Sequence, residues 1–317
     1  MSGIQGLIDF IVTVVGITTP ILLAATGELV VEKSGVLNLG VEGMMLIGAV
    51  TGFGVTLTYG PELGEAAPWV GVLAAMAAAA LSSQLFAFLV LTLGSNQVAT
   101  GLALTIFGIG LSSLIGAGFV GMTVPGFYSV FPEHLATDPF WRVVFGHSPL
   151  VYVAIALVFV VGWFLDRTRA GLVLRACGEN DLSAHSIGYP VIRIRYAAIA
   201  FGGALAGMAG SYFSLVITPM WAEQMTAGRG WIALALVVFA SWRPRRMLAG
   251  AYFFGLLMTI ELYAKADSLS FLPALPSQFW ASMPYLMAIV VLAVISSRSA
   301  GRSDAPACLG RPFIAGG

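Results

Sequence analysis

Charge is what this sequence has least of: Asp, Glu, Lys and Arg make up 9% of 317 residues, against 58% hydrophobic. A soluble globular domain carries about 25% charged residues, so a water-soluble enzyme or binding module is excluded. The 15 basic and 15 acidic residues cancel, and without a basic surplus nucleic acid is not an expected partner. Cysteine is nearly absent. Cys177 and Cys308 are too few and too far apart for a disulfide framework, and they read as reduced, inert thiols. The histidines, His134, His147 and His185, do not stand at metal-ligand spacing. No Lys or Arg precedes the first apolar run, so the positive segment of a cleavable signal is missing. Met1 to Thr26 therefore reads as a retained first span with its N-terminus outside.

What is abundant is apolar sequence in long runs. A helix needs about 20 apolar residues to cross a bilayer. Such runs fall at 7–27, 40–59, 68–93, 97–117, 149–166, 196–217, 225–241, 247–265 and 281–297. They are continuously apolar rather than alternating, which excludes a membrane β-barrel. The expected fold is all-α: one polytopic transmembrane helix bundle over 1–317, with about nine spans (roughly 8–10) and discontinuous helices. Gly48 and Gly52, and then Gly203, Gly207 and Gly210, recur at the spacing that lets membrane helices approach closely.

The scarce charge is unevenly placed. Arg167, Arg169, Arg175, Arg193 and Arg195 share one polar interval, 166–195, between apolar runs. Basic residues concentrate on the cytoplasmic side of membrane proteins. Placing this loop inside leaves only Arg142, Arg229 and Lys265 of the 15 basic residues on the outer side. The outer loops then carry Pro, Trp, Tyr and acids such as Glu62, Glu65, Glu133 and Asp138. The long 118–148 loop suits a surface that meets an external partner. The 166–195 loop, exposed to water inside the cell, is available to a partner there.

Two stretches interrupt the apolar pattern, GELVVEKSGVLNLGVEGMM (27–45) and PMWAEQMTAGRGW (219–231). Unpaired backbone at membrane depth survives only when buried in protein or lining a cavity, and interrupted helices in transporters mark the substrate path. Asn38 and Glu42 are four apart and would share a helix face. Asn96 and Gln97 begin a span, and Glu223, Gln224 and Arg229 flank a short one. Ionisable groups at that depth are costly and face a cavity or a partner. They offer a polar lining for a hydroxylated or nitrogenous solute, or else capping and helix–helix bonding. Glu261 and Lys265 read as a helix-surface ion pair.

Gly27 through Glu32, Lys33 and Ser34 imitate the ends of a phosphate-binding loop. Glu32 stands where the second glycine must be, so a negative side chain would meet the phosphates. The chain is not expected to hydrolyse ATP. The blocks SGVLNLGVEGMMLIGA (34–49), NQVATGLAL (96–104), RTRAGLVLRACGEN (167–180), MTAGRGWIALALVVFASWRP (225–244) and LPSQFWASMPYL (275–286) instead resemble those of ABC importer permeases. That superfamily handles branched-chain amino acids, ribose and nucleosides. The nucleoside-type members are the nearest match, helped by the tail LGRPF (309–313). The blocks occur in order over nearly the whole chain.

The resemblance implies a permease subunit of an ATP-driven importer of nucleosides or related purine and pyrimidine compounds, in the bacterial cytoplasmic membrane with its C-terminus inside. It binds no cofactor itself; ATP and Mg stay on a separate cytoplasmic ABC ATPase. A second homologous permease, forming a heterodimer, and an extracytoplasmic solute-binding protein complete the machine. The 166–195 loop becomes the cytoplasmic coupling loop, with Arg175, Gly178, Glu179, Asn180 and Gly188 meeting the ATPase. Asn38, Glu42, Asn96, Gln97, Glu223 and Gln224 become the substrate pathway. This chain departs from the pattern at Asp181, where relatives carry Pro, and at His185 and Tyr189–Pro190. A ribose permease is the alternative within the superfamily. A stand-alone secondary transporter or channel is the alternative outside it, and a membrane enzyme is a weaker one.

Overall fold

The computed structural model describes residues 3–127, 131, 138, 140–265, 276–298 and 305–313; Glu133, His134, Arg302 and most of the 266–280 loop lie outside them. The first helix, α1 (Gly3–Lys33), runs for 31 residues and passes Pro20 without ending. At 1.5 Å per residue it is about 46 Å long, more than a bilayer's hydrocarbon core. Its second half is buried almost without interruption, from Thr18 to Val31.

Next come α2 (Val41–Leu63), α3 (Ala67–Ala87) and α4 (Gln97–Gly116). Thr56 of α2 reaches the Ala67 carbonyl at 3.4 Å, and Gly52 lies against Ala75. The paired positions run in opposite senses, so α2 and α3 form an antiparallel hairpin. Thr105 of α4 donates to Leu39 O at 2.9 Å, and Phe119 beyond α4 meets Phe53 with centroids 5.7 Å apart. Here the paired numbers rise together, so α4 lies parallel to α2.

A short helix, α5 (Arg142–Phe145), leads into α6 (Pro149–Arg167), α7 (Arg169–Glu179), α8 (Asp181–Ser186) and α9 (Val191–Tyr212). The rest is α10 (Arg229–Phe239), α11 (Pro244–Lys265) and α12 (Ser277–Arg298). The hub is α9, which packs along α1, α2 and α3. Lipid offers little hydrophobic drive between helices, so close backbone approach and interhelical hydrogen bonds carry the packing. A β-carbon on Gly48 would enter the backbone of Gly207, which brings α2 and α9 into main-chain contact. Ser83 donates to Ile199 O at 3.1 Å and Ser214 to Ala49 O at 2.8 Å, tying α9 to α3 and its π-helical extension to α2. Outward positions are apolar instead: Leu73, Leu81, Ile106 and Leu114 are all exposed.

The all-helical bundle agrees with the sequence reading, and the described residues do not establish the count of about nine spans. Among the described residues, six helical runs are long and apolar enough to cross a membrane. One of them, residues 41–92, contains the α2–α3 hairpin. The run at 225–241 yields only α10, 11 residues long, or about 16 Å, half of what crossing needs. The last helix, α12, runs 22 residues from Ser277 to Arg298, about the length that crossing needs. The interruption at 27–45 is narrower than expected, because α1 continues to Lys33 and only 34–40 is irregular.

Candidate functional site

Two built regions adjoin the 34–40 loop, one at Ser34 and Gly35 and one at Asn38 and Glu42. The first is an elbow formed by α7, α8 and the foot of α9. Thr168 caps α7 by accepting from Gly171 N at 3.0 Å, and Asn180 caps α8 by accepting from Ser183 N at 2.9 Å. These caps make two short helices from a segment that turns sharply at Asn180.

Arg195, on the first turns of α9, is entirely buried at the centre of this elbow. Its Nε donates to Ser34 O at 3.0 Å, and its Nη2 to Cys177 O at 3.3 Å and to Asp181 Oδ2 at 3.0 Å. Its guanidinium carbon stands 5.8 Å from the centre of the Phe313 ring. One side chain thus joins the end of α1, the end of α7, the start of α8 and the chain's last described residue. A buried charge of this kind is sustained only by its counter-charge and hydrogen bonds. Asp181 supplies that counter-charge. Burial pushes the thiol of Cys177 above its ordinary range, despite the nearby Arg195.

Residues 305–313 lie back across the elbow. Cys308 N donates to Gly178 O at 2.9 Å, and Gly310 N to Gly35 O at 3.3 Å. Gln97 bridges the same parts: its Oε1 accepts from Leu37 N at 2.8 Å, and its Nε2 donates to Arg311 O at 3.2 Å. Of the expected coupling residues, Glu179 and Asn180 are exposed, and Gly188 occupies an exposed turn at φ +94°. Arg175 is partly exposed, with Nη1 4.0 Å from Asp166. Gly178 is buried, and a β-carbon there would strike Lys33 O.

The second region is the broken helix that ends in α10. Residues 218–228 form no regular helix, with left-handed φ at Gln224, Ala227 and Gly228. The carboxylate of Glu42 sits at the α10 N-terminus. Its Oε1 accepts from Thr226 Oγ1 at 2.6 Å and Gly228 N at 2.8 Å, and its Oε2 accepts from Gly230 N at 2.6 Å. A negative group there satisfies free N–H donors and complements the helix dipole.

Asn38 and Glu42 do not share a helix face, because Asn38 lies in the loop before α2 begins. Its Oδ1 accepts from Gly40 N at 2.9 Å, and its N–H donates to Glu28 Oε1 at 3.3 Å. Asn96 caps α4, accepting from Ala99 N at 3.0 Å. Glu223 is exposed and accepts from Ser113 Oγ at 2.8 Å, and Gln224 is exposed beside it. The guanidinium of Arg229 lies 5.0 Å from the Phe213 ring centre.

Sequence reasoning missed Glu28 and Glu32 as structural acids. Both are buried in α1. Glu32 accepts from the Trp242 indole N–H at 2.5 Å, fixing a turn where Ser241 and Trp242 both have positive φ. Glu28, Glu32 and Glu42 therefore hold the 34–40 loop, the α10–α11 turn and the α10 start. The available signal was two acids four apart inside an apolar run, a pattern whose cost demands partners.

A polytopic bundle with interrupted helices held by buried carboxylates, and with a polar elbow at one end, has the architecture of a solute permease. Residues 10–295 match the branched-chain amino acid transport system / permease component family, and the chain belongs to it. It is a multi-pass membrane permease subunit of an ABC importer, a family whose subunits work with an ATPase and a binding protein and are not themselves enzymes. The chain is 41% identical to TsgC13 of Haloferax volcanii, provisionally described as a glucose ABC transporter permease, over 94% of each chain. It is 33% identical to NupQ of Bacillus subtilis, a guanosine ABC transporter permease, over 94% of this chain and 93% of that one. It is 27% identical to NupC of Lactococcus lactis, a nucleoside ABC transporter permease, over 94% of each.

Proposed function

We propose that this subunit imports nucleosides or related purine and pyrimidine compounds, driven by a separate cytoplasmic ATPase that holds the ATP and Mg. The observation that carries the reading is the similarity to the guanosine and nucleoside permeases over nearly the full length of each chain. In this reading the protein lies in a bacterial cytoplasmic membrane with its N-terminus outside and its C-terminus inside, as the arginine distribution requires. A second, homologous permease pairs with it as a heterodimer. An extracytoplasmic binding protein delivers solute to the outer loops.

The whole chain, 1–317, acts as one permease domain whose 166–195 segment is the coupling loop. Arg175, Gly178, Glu179, Asn180 and Gly188 form or shape its contact with the ATPase. The Arg195–Asp181 pair makes the elbow stiff enough to act as a lever, because it binds four chain segments at one point. Nucleotide binding supplies the few kcal/mol of differential stabilisation that alternating access needs. Asn38, Glu42, Asn96, Gln97, Glu223 and Gln224 form and support the substrate path. Glu223 and Gln224 are exposed, and Glu42 fixes the half-helix that follows them, which supports this reading.

A sugar is the second reading, favoured by the 41% identity to the permease described for glucose. Uptake of labelled guanosine, glucose and ribose by the reconstituted complex, with and without ATP, separates them. ATP-dependent uptake of guanosine alone supports the proposal. Uptake of a sugar alone replaces it, and uptake by the chain without an ATPase overturns the coupled mechanism.

A further inference from the structure

A cavity of about 940 Å³ opens between the end of α6, α7 and the turn joining α10 to α11. Among the described residues its polar rim carries six basic side chains, Lys33, Arg167, Arg175, Arg243, Arg245 and Arg246, and two acidic ones, Asp166 and Glu179. Lys33 and Arg243 have partners of their own, so the positive charge open to a ligand rests on Arg167, Arg175, Arg245 and Arg246. Asp166 is 4.0 Å from Arg175, and Arg175 Nε is buried with no hydrogen-bond partner among the described residues. The rim is built to receive negative charge.

The rest of the cavity has the opposite character. Val158, Phe159, Gly162 and Trp163 form one wall, on a single face of α6. Phe159 is 57% exposed and Trp163 62% exposed. From Asp166 back to Val158 the wall extends about 12 Å along the helix. It passes from the polar end of a membrane span to the depth of lipid chains. A soluble anion would satisfy the rim and leave the aromatic wall bare. A soluble protein cannot follow that wall into the bilayer. An amphiphile with a phosphate head and apolar chains satisfies both surfaces, and basic pockets between membrane helices take such headgroups.

We propose that this cavity is a binding site for an anionic phospholipid, its headgroup held by the arginine rim and an acyl chain laid along α6 at Phe159 and Trp163. The site lies beside the coupling elbow, since Arg175 and Glu179 belong to both. The inference rests on the chain being a membrane-spanning permease, and not on its solute or its motor.

The test uses the full-length chain in bilayers of phosphatidylcholine containing brominated phosphatidylglycerol or brominated phosphatidylcholine. Bromine quenches nearby tryptophan, and the Trp163 signal is obtained by difference from W163F. The anionic lipid should quench Trp163 severalfold more effectively than the zwitterionic one. In R167Q/R245Q/R246Q, whose unfolding temperature is checked against wild type, that preference should fall by about fivefold or more. G162L, which fills the wall without touching a charge, should reduce quenching by both lipids. Equal quenching in the wild type, or an undiminished preference in the triple variant, overturns the site. Loss of the preference on adding inorganic phosphate would make it a soluble-anion site. Weakened association with the ATPase, with lipid preference intact, would make it a protein contact. Either result also rejects the proposal.

Discussion

A fully buried arginine is tolerable only while its counter-charge stays in place. Asp181→Ala would strand the guanidinium of Arg195, whose Nη1 already lacks a hydrogen-bond partner among the described residues. The expected cost is about 3 kcal/mol, read as a lower unfolding temperature of the detergent-solubilised protein. Asp181→Asn should fall between, since it keeps an acceptor and loses the charge. A D181A protein that melts like the wild type would show that the backbone acceptors alone hold Arg195. Cys177 is enclosed in the same knot and its thiol is pushed upward by burial, so little reactive thiolate is present near neutral pH. A maleimide should label it only after unfolding. Rapid labelling in the folded protein would mean that the elbow opens.

At the scale of elements, α10 is the instructive case. An apolar run at 225–241 was legible in the sequence, and it suggested a span. Positive φ at Gln224, Ala227 and Gly228 delays helix formation until Arg229, and the α10–α11 turn closes it by Phe239. A half-helix of this kind needs its free N–H groups filled. Glu42 fills them from a position 184 residues or more away in sequence. Nothing local announces that partnership, just as nothing local pairs Glu32 with Trp242. The apolar runs and the glycine contacts between α2 and α9 were legible because they depend on composition and short spacing. The acid-held breaks were not, because their partners arrive through tertiary packing. Glu42→Ala should cost about 3 kcal/mol by leaving several donors unpaired, with amide exchange quickening first at the start of α10. Uniform quickening along the whole chain would instead point to global destabilisation.

The whole molecule joins a lipid-facing bundle to a polar elbow through a few shared residues. Lys33, Ser34 and Gly35 lie at the end of α1, yet they meet Gly178, Arg195 and Gly310. A push on the elbow is therefore delivered to the foot of the longest buried helix. Glu179→Ala removes an exposed carboxylate from the elbow without touching the Arg195 knot. It should leave folding unchanged and cut ATP-driven uptake by the reconstituted complex by about tenfold, while ATP hydrolysis continues. Normal uptake in that variant would remove Glu179 from the coupling surface.

The position of Phe313 over Arg195 also has a consequence in time. Arg195 is synthesised about 120 residues before the ring that covers it, roughly 6–24 s earlier at ordinary ribosomal speeds. Until the segment at 308–313 has emerged, the guanidinium lacks its aromatic lid and Gly35 and Gly178 lack the amides that bind them. The knot around Arg195 is therefore completed last, so a nascent or truncated chain lacks the contacts that close the elbow.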